Sequence, residues 1–179
     1  MNGLCDASRS TLVIIDLQER LMPAIHEGDA VVKNALRLSQ TAKLLGIPVI
    51  GTAQNPEGLG PNVAEVHAQC DKVFAKMDFD ACAEQAFLEA LAGERGELIV
   101  AGCEAHVCVL QTVLGLLGRG HHVRLVADAI GSRVPFNRQI AMERAKAAGA
   151  ELLTTEMVMF EWMRSAAHPG FKDMLRLVK

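Results

Sequence analysis

The chain has no block of like charge. Its formal charge is −3 over 179 residues, and the 18 Lys and Arg are interspersed with 21 Asp and Glu. That pattern predicts no nucleic-acid partner and no membrane-surface partner. Long apolar runs are also missing; nothing approaches the ~20 residues that cross a bilayer. Met1 to Ser10 show no cationic start followed by an apolar core, so the expected location is cytoplasmic. CxxC pairs are absent. The five cysteines (Cys5, Cys70, Cys82, Cys103, Cys108) are odd in number, which argues against a disulfide framework. No histidine lies at ligand spacing from a cysteine, and no structural zinc is expected. There is no GxGxxG, no GxxxxGK[ST] and no GxSxG, and Gly115, Gly118 and Gly120 have the wrong spacing for a phosphate loop.

What is present is a composition half hydrophobic and 22% charged, enough for one domain over residues 1–179 with a sizeable core. Short β-branched runs alternate with helical periodicity. Strands are expected at Thr11 to Ile15, Ile47 to Thr52, Lys72 to Ala75, Glu97 to Ala101, His122 to Ala127 and Glu151 to Thr154. Helices are expected from an Asp29 cap to Leu45, over Phe79 to Leu91, and from about Cys108 to Gly118. Three more are expected over Asn137 to Ala148, with Ile140, Ala141, Ala145 and Ala148 inward, over Glu156 to Arg164 capped by Thr155, and over Phe171 to Val178. Gln54 to Pro61 is rich in Gly and Pro and reads as a loop. Strand–helix alternation predicts an α/β fold, three layers deep, with a parallel sheet.

In such sheets ligands gather beyond the carboxyl ends of the strands, where strand order reverses. Asp16, Lys76 and Cys108 each fall just past an expected strand's carboxyl end. Taken singly, each has a plain reading: a turn aspartate, a solvated lysine, a buried structural cysteine. Their common placement is the argument for a site. Cys108, after Gly102 and near a helix start, is placed to be a nucleophile.

Four segments carry a resemblance: Val13-Ile14-Ile15-Asp16-Leu17-Gln18, Lys76-Met77-Asp78-Phe79, Gly102 to Thr112 (GCEAHVCVLQT), and Val126 to Arg133 (VADAIGSR). The chain resembles the isochorismatase-like cysteine hydrolase superfamily, which also holds nicotinamidases and N-carbamoylsarcosine amidases. It is most similar to the group named for containing an isochorismatase domain, through Gln54 to Gly60, Thr155 to Val158 and His168 to Lys172. The resemblance implies a Rossmann-like six-stranded parallel sheet of order 3-2-1-4-5-6. It implies a catalytic triad of Asp16, Lys76 and Cys108, a cis peptide between Cys103 and Glu104, and an oxyanion hole made by the backbone N–H groups of Glu104 and Cys108. Metal-dependent nicotinamidases carry an Asp-x-His-x-x-x-His-type set, whereas only His67 lies in that region here, so no metal and no cofactor are expected. Isochorismatases proper lack the cysteine nucleophile, so vinyl-ether hydrolysis is not expected.

The implied chemistry is cleavage of a small amide or carbamoyl-type C–N bond through a thioester. Asp16 takes the thiol proton and passes it to the leaving amine. Near a helix start and beside Lys76, the Cys108 pKa is expected to fall from ~8.5 toward neutrality. Gln18, Gln54, Asn55, His106 and Phe136 are candidate pocket residues, and Glu104's side chain has no assigned role. The competing reading is a scaffold or thiol sensor that keeps the fold without turnover. Met157, Met159, Phe160, Trp162, Met163, Leu175, Leu177 and Val178 suggest apolar surface for a homo-oligomer.

Overall fold

The computed structural model describes residues 3–93 and 95–178. Its strands are β1 (Ser10–Ile15), β2 (Val49–Gln54), β3 (Lys72–Lys76), β4 (Glu97–Cys103), β5 (His122–Gly131) and β6 (Glu151–Leu153). They form a six-stranded sheet in the order β3-β2-β1-β4-β5-β6, parallel at every pairing. The helices are α1 (Gly28–Leu44), α2 (Pro56–Leu59), α3 (Ala64–His67), α4 (Gln85–Leu91), α5 (Leu110–Gly118), α6 (Pro135–Ala147), α7 (Thr155–Met163) and α8 (Phe171–Val178).

The central strands are apolar without interruption because both faces are covered. Side chains alternate between the two layers with the two-residue period of a strand. Leu12 and Ile14 of β1, with Ile99 and Ala101 of β4, meet Leu38, Trp162 and Met174 from α1, α7 and α8. Val13 and Ile15, with Leu98 and Val100, meet Phe87, Val113, Leu116 and Ala141 from α4, α5 and α6. Residues adjacent in sequence thus build opposite cores.

β1 and β4 are neighbours, in register from Ser10–Glu97 to Ile15–Gly102. Gly102 is required at the top of this pair. Its φ is +124°, and a Cβ there would lie 2.0 Å from the Ile15 carbonyl oxygen. Only glycine tolerates both conditions. The chain then turns away from the sheet between β1 and β4, which places the reversal point beside Asp16.

Several local expectations are corrected. α1 starts at Gly28 behind a left-handed Glu27 (φ 53°), and Asp29 sits in the first turn instead of capping it. The stretch from Phe79 to Leu91 is not one helix. Asp80 accepts the Cys82 N–H at 2.8 Å, Ala81 N–H bonds Thr112 Oγ1 at 3.0 Å, and extended Glu84 separates this turn from α4. β5 continues past Asp128 to Gly131. One helical turn, α2, interrupts the 54–61 loop. Thr154 caps α7 through the Met157 N–H, while Thr155 bonds Asp128. On α6, Ile140 faces solvent, as does Ala148 just past its end, and only Ala141 and Ala145 of the expected set are buried. The apolar C-terminal set is largely consumed internally: Met159, Trp162 and Met163 are core, leaving Met157 and Phe160 exposed.

Candidate active site

The carboxyl ends of β1, β2 and β3 and the turn after β4 deliver the polar residues. Asp16 follows β1 in a left-handed conformation (φ 51°) that non-glycine residues seldom adopt. It is fully buried. Its Oδ1 accepts Thr52 Oγ1–H at 2.7 Å and its Oδ2 accepts Lys76 Nζ at 2.7 Å. Lys76 is the last residue of β3, one position inside the strand rather than past it, and its side chain has no exposure. Its Nζ also donates to Gln54 Oε1 at 2.6 Å. The burial cost of two charges is offset here by short, charge-assisted bonds to each other, to Thr52 and to Gln54.

Cys108 stands in a π-helical turn, Ala105–Val109, that leads into α5. It is buried, with Sγ 3.9 Å from Gln54 Oε1. The charges of Asp16 and Lys76 both act on this thiol. Contrary to the expectation of a lowered value, the thiol pKa is pushed up to about 12. Burial is the largest cause and the Asp16 charge adds to it, while Lys76 pulls the other way without prevailing. The resting site therefore holds a neutral thiol beside an ionic pair.

The peptide Cys103–Glu104 is cis. The Glu104 N–H donates to no backbone carbonyl among the described residues, and the Glu104 carbonyl accepts Val107 N–H at 3.0 Å and Val109 N–H at 3.2 Å. Glu104's carboxylate, unassigned from sequence, accepts both the N–H and the Nε–H of Arg133, each at 3.0 Å.

The candidate pocket residues separate into two groups. Gln54 belongs to the cluster: Oε1 faces Lys76 and Cys108, and Nε2 donates to the Met77 carbonyl at 2.7 Å. Gln18 stands behind it, fully buried, donating to the Gln54 and Gly60 carbonyls and accepting the Gln54 N–H. It holds the loop and has no free polar face. Asn55 opens α2 in a left-handed conformation, its N–H on the Lys76 carbonyl at 2.8 Å. His106 points to the next loop, Nδ1 3.0 Å from Ser132 Oγ and Nε2 3.4 Å from Asn137 Nδ2. Phe136 lies on the first turn of α6 and is 65% exposed. A cavity of ≈ 530 Å³ between α1 and α8, with Val32, Leu36 and Leu177 among its walls, contains none of these residues.

Two supporting residues escaped the sequence reading. Thr52 bonds Asp16 directly, and Asn62 Nδ2 donates to the Thr52 carbonyl at 3.0 Å. A hydroxyl inside an otherwise apolar central strand was the available signal for Thr52; Asn62 offered none. Among the described residues, no three His, Cys, Asp or Glu side chains gather as a metal site would require. No helix among them is long and apolar enough to cross a membrane.

Residues 10–157 match the family described as "Isochorismatase domain". "Isochorismatase domain-containing protein 2" of Danio rerio is 38% identical over 178 residues, covering 98% of this chain and 90% of that protein. The structure of MAR1 ribonuclease from Caenorhabditis elegans superposes with a TM-score of 0.93 at 34% identity, covering 98% of this chain and 92% of that one. YcaC from Pseudomonas aeruginosa, solved with hexane-2,5-diol and covalent acrylamide, gives a TM-score of 0.91 at 27% identity, covering 99% and 92%.

Proposed function

The chain belongs to the isochorismatase domain family, and from that premise we propose that it is a metal-independent cysteine hydrolase of small amide or carbamoyl-type substrates. The observation that carries the reading is the buried Lys76 ammonium, bonded at once to Asp16 Oδ2 (2.7 Å) and Gln54 Oε1 (2.6 Å) beside the Cys108 thiol. On this reading Cys108 is the nucleophile, Asp16 the proton acceptor and Lys76 the fixed cation, brought together from three distant chain positions.

With a thiol pKa of about 12, thiolate is a minute fraction at neutral pH. Attack is therefore coupled to proton transfer. Sγ adds to the carbonyl carbon as the S–H proton moves to Asp16, which the Lys76 bond holds in place. The N–H groups of Glu104 and Cys108 receive the oxyanion, each worth on the order of 3 kcal/mol in the transition state. The C–N bond breaks, Asp16 returns the proton to the departing nitrogen, and the thioester is hydrolysed by water to carboxylate and free thiol. Covalent acrylamide in the P. aeruginosa relative supports a nucleophile in this fold that bonds a small amide-bearing molecule.

The exposed apolar side chains Met77, Phe79, Val134 and Phe136 support an assembly of copies, which light scattering tests. Ribonuclease activity is the second reading, favoured by the likeness to the C. elegans structure. The charge of −3 and the absence of a cationic stripe along the sequence weigh against it, because RNA binding relies on phosphate neutralisation. The test is ammonia release from a panel of small primary amides and carbamoyl compounds, with Cys108→Ser as blank and a labelled RNA in parallel. Cys108-dependent release with an acyl-enzyme mass supports the hydrolase. Cleavage of RNA alone transfers the assignment to a nuclease, and a reactive thiol with no turnover on either leaves a sensor.

A further inference from the structure

We propose that Glu104 is a positioning residue whose carboxylate, through Arg133, holds the turn that receives the oxyanion. The inference rests on the hydrolase reading and deepens it by assigning a role to a side chain outside the Asp16–Lys76–Cys108 cluster. Glu104 is 8% exposed, and a carboxylate so buried requires partners. Both come from one residue: the Arg133 N–H and Nε–H converge on Oε2 at 3.0 Å each. Two residues on, His106 makes a second tie, Nδ1 to Ser132 Oγ at 3.0 Å. Residues 104 and 106 of the nucleophile turn are thus bound to 132 and 133 of the loop between β5 and α6. That loop is itself anchored, since the Ser132 carbonyl accepts the His26 N–H at 3.1 Å and Arg138 Nε donates to the Ile130 carbonyl at 2.9 Å.

The other side of the same residue is fixed as well. The Glu104 carbonyl takes the Val107 and Val109 N–H groups, which sets it against Cys108. An oxyanion donor works only within a few tenths of an ångström of its ideal distance. An exposed ion pair does little for stability, and the Arg133 side chain is 61% exposed. One of its two bonds, however, is a backbone N–H to a buried carboxylate, an arrangement that sets direction.

A step that forms no oxyanion should not depend on Glu104. Alkylation by iodoacetamide is such a step: sulfur displaces iodide from a CH₂ group, iodide departs with the C–I bonding pair, and the thiol proton goes to Asp16 as the C–S bond forms. Acylation by 4-nitrophenyl acetate does form one: Sγ adds to the ester carbonyl, the S–H proton goes to Asp16, and 4-nitrophenolate departs with the C–O bonding pair. Both rates are measured at Cys108 in the full chain, with Cys108→Ala as blank and circular dichroism as the check on folding. Glu104→Ala is expected to lower the nitrophenolate burst rate ~30-fold or more while alkylation changes less than ~2-fold. Glu104→Gln, which keeps an acceptor for the Arg133 N–H, should recover part of that loss. Arg133→Ala, an exposed truncation that folds even where Glu104→Ala does not, should lose ~3- to 10-fold in acylation only. Equal losses in both rates, or no loss in either, overturn the proposal. Absence of a Cys108-dependent burst in the wild type sinks the hydrolase reading itself and leaves Glu104 no oxyanion to position, whereas a burst unchanged in Glu104→Ala sinks the Glu104 assignment alone.

Discussion

The two ends of the sheet each bury a cysteine beside a cation, with three carboxylates at one end and one at the other. At the amino end, Arg124 is 2% exposed and pairs with Glu97 at 3.2 Å and with Glu151 and Glu161 at 3.5 Å. Its Nη1 donates to Cys5 Sγ at 3.3 Å. Arg124 Nε, close to Glu97, has no well-directed hydrogen bond, so that contact is an ion pair by distance only. Glu97 also accepts Ser10 Oγ at 2.6 Å and the Asp6 N–H at 3.1 Å, and Trp162 Nε1 donates to Ser10 Oγ at 2.9 Å. At the carboxyl end, Asp16, Lys76, Gln54 and Cys108 form the smaller cluster. Both thiols are pushed up, burial being the main cause. Buried charge next to sulfur therefore does not define a site. The amino-end network fastens the segment from Gly3 to Ser10 to β4, β5 and α7. The carboxyl-end cluster sits where strand order reverses, next to the Glu104 N–H, which donates to no backbone carbonyl among the described residues.

The sharpest way to break this comparison is to remove each sulfur. Cys108→Ala is expected to lower amide hydrolysis at least ~10⁴-fold, and Cys5→Ala to leave it within about twofold, by ammonia release per folded molecule. Next come the cations. Lys76→Met and Arg124→Met each strand a buried carboxylate, so urea unfolding should show ~3–5 kcal/mol lost in both. Only Lys76→Met should also lower hydrolysis, by ~10² or more; matched rate losses would erase the distinction. Smaller effects attend the hydroxyls. Thr52→Val and Ser10→Ala each remove a bond to a buried carboxylate and should cost ~1–2 kcal/mol, with a several-fold slower reaction for Thr52→Val only.

The least expected effect is one the clusters share. A thiol pKa raised in the fold from 9.0 to about 12, as at Cys108, adds stability that is fully present below pH 9.0. Above that value the unfolded chain sheds protons that the folded chain keeps, so stability falls as pH rises toward 12. Urea midpoints should therefore drop between about pH 9 and about pH 12, less so in either cysteine variant. Alkylation of Cys108 should climb with pH through this range; a plateau near neutrality would contradict a thiol held neutral by burial.

Much of the architecture was legible in the sequence because burial on both faces writes uninterrupted apolar runs, and alternating periods write the element order. The broken helix after Phe79 was not legible. Its periodicity is helical, and the interruption comes from Asp80 and Thr112, 32 residues apart. The long β5 was missed for a related reason: Asp128 reads as a strand end, yet its carboxylate is satisfied by Thr155 from α7. At the candidate site, motif order pointed to Asp16, Lys76 and Cys108, while Thr52 and Asn62 carry no motif, and Arg133 closes a motif that gave no sign of its partner Glu104. The direction of the Cys108 shift was misjudged because helix position and a nearby lysine are visible in sequence, whereas desolvation and the facing carboxylate are not.

By itself the sequence determined which segments are strands, that the sheet is buried on both faces, and which reactive residue types stand at strand ends. Those properties depend on local period and composition. Tertiary structure alone decided which of two similar buried thiols faces Lys76 and which faces Arg124, how the thiol's proton is held, and which loop grips the Glu104 turn. Each of these depends on distances between residues far apart in the chain, and no local pattern encodes such a distance.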